Sequence, residues 1–341
     1  MPKISVITPT YNRADVLPRA LKSVQRQTFQ DYEHIVVDDG SSDDTEQIVS
    51  DHAHDRLRYH KLEQNRGPAA ALNHGVTVAR GKYISILDSD DRYVPERLEV
   101  TNRVLDAQPP RVGGVFHGAY RVDGTKSGTV RDTQTGGVHT ESDFAAANVI
   151  RGHPNTMYRS SVFEQVGGYD ETLESVIDYD FQLRAARQFD WFGIPDPLVI
   201  VDDGVDGIQS SPAKIRRGVE RFLDKHEDTL ETAQTARMYR QVGKACLELG
   251  DEQDARAAFE RSIDVRAARD RPKAHYLAGR AYLRYGFGWR ARSHLTESAR
   301  KGTVDFKNAV LLLVSVLPVS SERSFERLKH IQETLPDLTG P

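Results

Sequence analysis

Gly81-Lys82-Tyr83-Ile84-Ser85-Ile86-Leu87-Asp88-Ser89-Asp90-Asp91 divides into two parts. Tyr83 to Leu87 is apolar and β-prone and too short for a helix, so it predicts a buried strand. The run stops at Asp88, Asp90 and Asp91, which places three carboxylates at the strand's C-terminal end. In open α/β sheets that edge is where ligands bind. Carboxylates this close repel one another unless a cation or hydrogen-bond donors share the site. All-oxygen clusters of this kind suit Mg²⁺ or Mn²⁺ carrying a diphosphate. A strand running into a solvated acidic turn would have the same pattern, and the triplet alone does not choose between the two.

The preceding residues supply context. Lys3 to Thr8 is a β-branched strand that enters the turn Pro9-Thr10-Tyr11-Asn12-Arg13, followed by an amphipathic helix from about Val16 to Gln27. A second strand, His34 to Val37, ends in Asp38-Asp39-Gly40-Ser41-Ser42-Asp43-Asp44-Thr45. A third, Leu57 to Lys61, is followed by the turn Asn65-Arg66-Gly67-Pro68 and a small-residue helix, Ala69 to Ala79. Strand–helix alternation with short connections predicts an α/β domain, a mostly parallel sheet with helices on both faces. The first strand–helix turn lacks Gly-x-Gly-x-x-Gly, so its backbone amides are not arranged to cradle a pyrophosphate. The charge of a bound diphosphate must be met otherwise, and the acidic cluster with a divalent metal supplies the means.

Taken together, Ile7-Thr8-Pro9-Thr10-Tyr11-Asn12-Arg13, Val37 to Thr45, Asn65-Arg66-Gly67 and Asp88-Ser89-Asp90-Asp91 make residues 2–205 resemble the family 2 glycosyltransferases. The resemblance implies the GT-A fold, a Rossmann-like sheet that binds a nucleotide sugar. It also implies that Pro9, Tyr11 and Arg13 line the nucleotide pocket, with Gly67 and Ser89 beside it. Asp39 would accept a hydrogen bond from the base, and Asp88 would meet the ribose or the metal. Asp90, with Asp91 as the other candidate, would hold Mn²⁺ or Mg²⁺ on the diphosphate. Each residue has a structural alternative: Tyr11 as a turn aromatic, Asp43-Asp44-Thr45 as a helix cap, and Gly67 as a residue with φ > 0.

Further on, the expected elements are a helix from Glu99 to Ala107 and a strand from Gly113 to Val122. Thr125 to Thr140 reads as a hairpin near the site or as a surface excursion. His153-Pro154-Asn155-Thr156-Met157-Tyr158-Arg159 precedes a helix from Ser161 to Val166; in the family this block sits beside the acceptor pocket, and His153 itself reads as structural. The family's Glu-Asp-x-Asp motif aligns with Ile177-Asp178-Tyr179-Asp180, so Ile177 replaces the usual Glu. Asp178 is the expected general base, with Asp180 and Glu174 as substitutes, and Asp180 has a second reading as a helix cap.

Composition sets limits. Of 341 residues, 38% are hydrophobic and 28% charged, as in a soluble globular protein long enough for two domains. The single cysteine, Cys246, excludes an internal disulfide and fits a reducing, cytoplasmic location. Met1-Pro2-Lys3 leads straight into an apolar strand without the organisation of a signal peptide. The longest apolar run, Ala309 to Val319, is too short to span a bilayer.

Charge divides the chain. Residues 1–210 carry 22 Lys and Arg against 32 Asp and Glu, whereas residues 211–301 carry 20 against 13. Residues 210–341 read as an all-α region following a catalytic domain over 1–209. Within it Gly243, Leu247, Gly250, Ala255 and Phe259 recur 36 positions later as Gly279, Leu283, Gly286, Ala291 and Leu295. This loosely resembles two tetratricopeptide helix–turn–helix repeats, whose usual period is about 34. Val304–Val319 and Phe325–Leu335 are expected to close the stack. The basic region would meet a membrane surface, a phosphorylated acceptor or a protein partner, or would simply present solvated helix faces; nucleic acid is not expected as a partner.

The expectation is therefore an inverting, metal-dependent glycosyltransferase of the hexosyltransferase type. It would move a sugar from a nucleoside diphosphate to a hydroxyl or phosphate of a glycan or lipid-linked acceptor, in the cytoplasm or peripherally at the cytoplasmic face of a membrane. The alternatives are a sugar-phosphate nucleotidyltransferase and an inactive transferase-like domain in a helical-repeat interaction protein.

Overall fold

The computed structural model describes residues 1–122, 129–132 (backbone only), 136–150, 152–202, 211–267 and 270–300. The chain forms two compact units, Met1–Ser210 and Ser211–Pro341.

The first unit begins with β1 (Ile4–Thr10), α1 (Leu17–Gln25), β2 (Tyr32–Asp38), α2 (Thr45–Asp51), β3 (Leu57–Lys61), α3 (Pro68–Val78) and β4 (Tyr83–Ile86). These strands align in parallel in the order β3-β2-β1-β4, with Ile7 opposite both Ile35 and Ile86. Every residue of β2 is buried, as expected of an inner strand with both faces covered. Its polar members are satisfied: Glu33 accepts from Ser5 Oγ at 2.7 Å and from Arg58 Nη1 at 2.6 Å, and His34 bonds Thr8 at 2.9 Å.

Past β4 the sheet is mixed. β5 (Arg92–Tyr93), α4 (Arg97–Asp106), β6 (Val112–Val122), β7 (Thr129–Asp132), β8 (Gly137–His139) and α5 (Glu141–Ala146) follow, then a 3-10 turn at His153–Asn155. β9 (Thr156–Arg159), α6 (Ser160–Val166), α7 (Ile177–Ala186) and β10 (Asp190–Asp202) complete the unit. The sheet continues β4-β9-β6-β10-β5, with β9 antiparallel to both neighbours and β6 parallel to β10. In the region read from sequence as a hairpin or a surface excursion, β7 pairs with β6 and β8 with β10; residues 123–128 and 133–135 lie outside the described residues.

A buried guanidinium holds this half together. Arg97 is fully buried and donates to Ser85 Oγ (2.6 Å), His117 Nε2 (3.0 Å), Pro154 O (2.9 Å) and Thr156 O (2.7 Å), while its carbon Cζ lies 3.8 Å from the Tyr93 ring centroid. It thereby ties β4, β6 and the start of β9 into one layer. His117 Nδ1 pairs with Gly118 O at 2.8 Å, so its Nε2 is free to accept, and burial drives its pKa far below the ordinary imidazole range.

The second unit is helical: α8 (Pro212–His226), α9 (Thr232–Glu248), α10 (Glu252–Asp264), α11 (Arg271–Arg284) and α12 (Gly288–Arg300). The 36-residue recurrence has a physical basis here. Gly250 (φ +79°) and Gly286 (φ +85°) make the left-handed turns after α9 and α11. Gly243 and Gly279 let those helices approach their successors: an added Cβ would lie 2.9 Å from the Phe259 ring and 2.8 Å from Leu295. Residues 301–341, including Val304–Val319 and Phe325–Leu335, lie outside the described residues. Among the described residues no helix is long and apolar enough to cross a membrane.

Candidate active site at the carboxyl edge of the sheet

The parallel strands β1, β2 and β4 all end at one edge, and their following loops are tied to one another. Asn12, in the left-handed region at φ +49°, donates its amide to Ser41 Oγ (2.8 Å) and accepts from the Ser42 amide (2.9 Å). Asp43 accepts from the Ala14 amide at 3.0 Å and from Thr45 N and Oγ1 at 3.1 and 2.6 Å. It thus serves both the start of α2 and the neighbouring loop. Pro9 is half-buried near the end of β1, and Tyr11 stands out at 43% exposure.

Asp39 is 3% exposed, and its two carboxylate oxygens accept from the amides of Arg66 (2.8 Å) and Gly67 (2.7 Å). Burial raises its pKa, against those two amides. Gly67 precedes α3 with φ +92°, the turn role that its sequence also allowed. A carboxylate oxygen has a second lone pair, so Asp39 keeps acceptor capacity while bracing this loop.

β4 brings the acidic triplet to the same edge. Leu87 donates to Ile7 O at 2.9 Å, and Asp91 N closes a turn on Asp88 O at 3.1 Å. Ser89 is buried within that turn. Asp88 is half-buried; loss of solvation, then the charges of Asp90 and Asp178, push its carboxyl well above the ordinary range, and Arg13 opposes them. Asp90 pairs with Arg13 Nη1 at 3.2 Å. Asp91 is 5% exposed and accepts from the Asp202 amide of β10 at 3.2 Å. Its carboxyl is also raised, by burial and then by Asp88 and Asp90. Asp88 and Asp90 therefore face Arg13 and Asp178, while Asp91 is bonded back to β10.

Asp178 comes from the first turn of α7, ninety positions after Asp88. The residue before α7, Val176, is held at φ +53° and ψ 26°, a left-handed conformation that a β-branched side chain rarely adopts. Asp178 acts electrostatically on Asp88 and on His153. His153 stacks edge-on against Tyr169 with centroids 5.2 Å apart, and its buried Nε2 has no hydrogen-bond partner among the described residues. Burial lowers its pKa, against the pull of Asp178. The Tyr158 and Tyr169 hydroxyls and the Gln182 amide are buried close to one another, with none at full hydrogen-bond geometry among the described residues. Asp180 is fully buried and ion-paired with Arg184 at 2.9 Å, so its side chain braces α7 rather than capping it.

Several of these residues were not legible as site residues. Asn12 stands in the first motif without a role of its own, Val176 carries no sequence mark of strain, and nothing in the sequence singles out Tyr169 or Gln182.

Among the described residues no three His, Cys, Asp or Glu side chains converge into a metal cage. The donor set nevertheless fits a hard divalent cation that takes one or two carboxylates and completes its shell with phosphate and water. Its mark is the crowding of Asp88 and Asp91, whose ionised forms are disfavoured by burial and by neighbouring carboxylates more than Arg13 beside the first and Arg121 near the second relieve.

The architecture matches solved glycosyltransferases of the GT-A type. The chain aligns with S. aureus TarS 1–349 in complex with UDP-GlcNAc at a TM-score of 0.59 and 22% identity, over 88% of this chain and 92% of that one. It aligns with the mannosyltransferase PcManGT from Pyrobaculum calidifontis, solved with GDP-Man and Mn²⁺, at 0.51 and 20%, over 97% and 84%. The profile described as Glycosyl transferase family 2 matches residues 5–167. An uncharacterized glycosyltransferase of Haemophilus influenzae is 31% identical over 238 residues, 67% of this chain and 79% of that protein. The GalNAc(5)-diNAcBac-PP-undecaprenol beta-1,3-glucosyltransferase of Campylobacter jejuni is 47% identical over 95 residues, 27% of this chain and 30% of that protein. The chain belongs to glycosyl transferase family 2 and is a glycosyltransferase.

Proposed function

We propose that this chain is an inverting, metal-dependent hexosyltransferase that moves a sugar from a nucleoside diphosphate to a hydroxyl of a glycan or lipid-linked acceptor. The observation that carries the reading is the convergence of Asp88, Asp90 and Asp178 on one sheet edge, close enough for the latter two to shift the titration of the first.

The roles are those that the family resemblance implies, carried onto that arrangement. Tyr11 and Pro9 flank the nucleotide, Asp39 accepts from the base, and Gly67 and Ser89 shape the adjoining loops. Asp88 and Asp90 hold the cation, with Asp91 behind them as the further candidate ligand. When bound, Mn²⁺ or Mg²⁺ supplies neutralisation of the charge that builds on the leaving diphosphate. Asp178 takes the acceptor's proton as its oxygen bonds the anomeric carbon and the bond to the diphosphate breaks. Attack opposite the leaving group inverts that carbon. Arg13, already beside Asp90 at 3.2 Å, is placed to hold phosphate charge once the cation occupies the carboxylates.

PcManGT with GDP-Man and Mn²⁺ supports a metal-bound nucleotide sugar, and the Campylobacter relative supports a lipid-linked acceptor. With such an acceptor the enzyme would work in the cytoplasm or at the cytoplasmic face of a membrane.

Calorimetric titration of UDP and GDP, with and without Mn²⁺, tests the reading. One nucleotide should bind, and Asp90→Ala should weaken its metal-dependent binding by about 10- to 100-fold. Failure of a wider nucleotide panel to bind under any condition would sink it.

A further inference from the structure

The second unit carries a charge arrangement that the transfer chemistry does not use. On α9, residues 237, 240, 244 and 248 follow helical spacing along one face, and on α11 the positions 36 later are 273, 276, 280 and 284. Six of the eight are cations: Arg237, Arg240, Lys244, Lys273, Arg280 and Arg284. The others are Tyr276 and Glu248, and Glu248 accepts a hydrogen bond from Tyr285. All six cations are exposed except Arg240, which is half-buried.

Four other basic residues of this unit, Arg216, Arg256, Arg261 and Arg290, sit in ion pairs. Arg216 bonds Asp251 and Asp254, Arg256 bonds Glu260 at 2.7 Å, and Arg290 bonds Glu252 at 2.9 Å. None of the six has a carboxylate partner among the described residues. They also feel one another across the two helices. The Lys244 ammonium, exposed at its surface but partly desolvated at its head, is pushed below its ordinary range by that loss of solvation and then by Arg240, Arg284 and Arg280, against the weaker pull of Glu248. Arg240 is lowered to about 10 by burial and then by Arg266 and Arg237. A fold pays for gathered like charge, and a complementary anion relieves the cost.

We infer that this face of α9 and α11 binds a phosphate-rich ligand, the di- or oligophosphate part of the acceptor. Repeat-equivalent cations on neighbouring helices offer a row of donors rather than a single pocket, which suits a chain of phosphates better than one small anion. The assignment to the acceptor rests on the transferase reading above; the anion binding itself does not.

The test uses the full chain in EDTA, so that the sheet-edge carboxylates hold no metal. Inorganic tripolyphosphate is titrated calorimetrically, and vesicles of phosphatidylglycerol or of phosphatidylcholine are sedimented with the protein. The double variant Lys244→Glu/Arg280→Glu is compared with Arg256→Glu/Arg292→Glu, an equal charge change at the repeat-equivalent positions of α10 and α12. A neutral pair, Lys244→Gln/Arg280→Gln, guards against a folding defect.

Tripolyphosphate should bind, weaken steeply with salt, and lose about tenfold or more in both α9/α11 variants but not in the control pair. Capture on phosphatidylglycerol vesicles that tripolyphosphate reverses places the phosphate on a lipid headgroup. Tripolyphosphate binding without capture places it on a soluble chain. Three outcomes would overturn the inference: no binding of tripolyphosphate whatever the vesicles do, equal loss in the control pair, or tighter binding of a single-stranded oligonucleotide at matched phosphate concentration. UDP titration with Mn²⁺ on the same preparations keeps the readings separable. Failure there alone removes the acceptor assignment, and failure with tripolyphosphate alone removes this site and leaves the transferase.

Discussion

The carboxyl edge of the sheet and the α9/α11 face each gather one sign of charge, but in different surroundings. At the edge, Asp88, Asp90, Asp91 and Asp178 gather within folded protein, with Arg13 beside Asp90 and acting on Asp88, and two of the carboxyls rise well above their ordinary range. On the helices the cations are mostly exposed, and solvent carries part of their mutual repulsion. Elsewhere each unit contains paired charges, as in Glu33–Arg58, Asp180–Arg184 and Arg216–Asp251. Unbalanced like charge therefore marks where the missing partner is a ligand, and burial sets how that region responds. The edge should answer to pH and metal, and the face to salt.

The largest expected effect separates roles within the edge. Asp178→Asn should lower turnover by about 10²- to 10⁴-fold, the range for a general base, while metal-dependent nucleotide affinity measured by calorimetry stays near wild type. If affinity falls in parallel with turnover, Asp178 serves the donor rather than the acceptor, and the division of labour along the edge is wrong.

Next comes Asp88→Asn, read by thermal melting without metal. The folded chain raises the pKa of Asp88 and so holds its proton more tightly than the unfolded chain does. Stability then declines as pH climbs from the unfolded carboxylate value, about 4, towards the raised folded value, and stays reduced above it. The Asn variant should melt a few degrees higher than wild type at pH 8 and not at pH 4. Mn²⁺ should raise the melting temperature of wild type more than that of the variant. Equal melting at both pH values would remove the strain attributed to this carboxyl.

On the helical face the same logic has the opposite sign and a smaller size. Arg280→Glu should raise the melting temperature at low ionic strength, worth roughly 0.3–1 kcal/mol for an exposed charge, and the gain should fade in 0.5 M salt. A gain that persists in high salt would show that packing, not charge, is responsible.

Much of the sheet edge was legible because its residues come in local motifs whose order survives in one sequence. Tyr83 to Leu87 announced β4, and Asp88, Asp90 and Asp91 announced their place at its end. β9 and β10 were not legible: Thr156–Arg159 is four residues long, and Asp190–Asp202 contains Pro195 and Pro197, which weaken a strand signal. Nor could Arg97 be seen as buried, because its partners His117, Pro154 and Thr156 are non-local and individually unremarkable. Asp178 stands out through its motif despite Ile177, and its place near Asp88 agrees with that reading's location. What the sequence hid there was Val176, whose left-handed backbone depends on packing around α7. In the helical unit the 36-residue recurrence was visible, whereas the pairing of Arg216, Arg256 and Arg290, which sets the unpaired cations apart, needed three dimensions.

Left-handed backbone sharpens the contrast between the two regions, at the smallest expected energy. In the helical unit the described left-handed positions are Gly250 and Gly286, residues that take them without steric cost. In the sheet unit two non-glycine residues do so, Asn12 in the loop after β1 and Val176 immediately before Asp178. A β-branched residue there stores about 1–2 kcal/mol. Val176→Gly releases that strain but adds freedom to the unfolded chain worth about 0.5–1 kcal/mol, so the melting temperature should move little and, on balance, upward. Turnover is the informative readout, because the left-handed turn sets where α7 starts and hence where Asp178 stands. A loss of turnover with unchanged nucleotide affinity and unchanged or higher stability would mean that Val176 holds the base in place. Full activity in a more stable variant would mean that the strain is incidental, and that the edge differs from the helical face only in charge and burial.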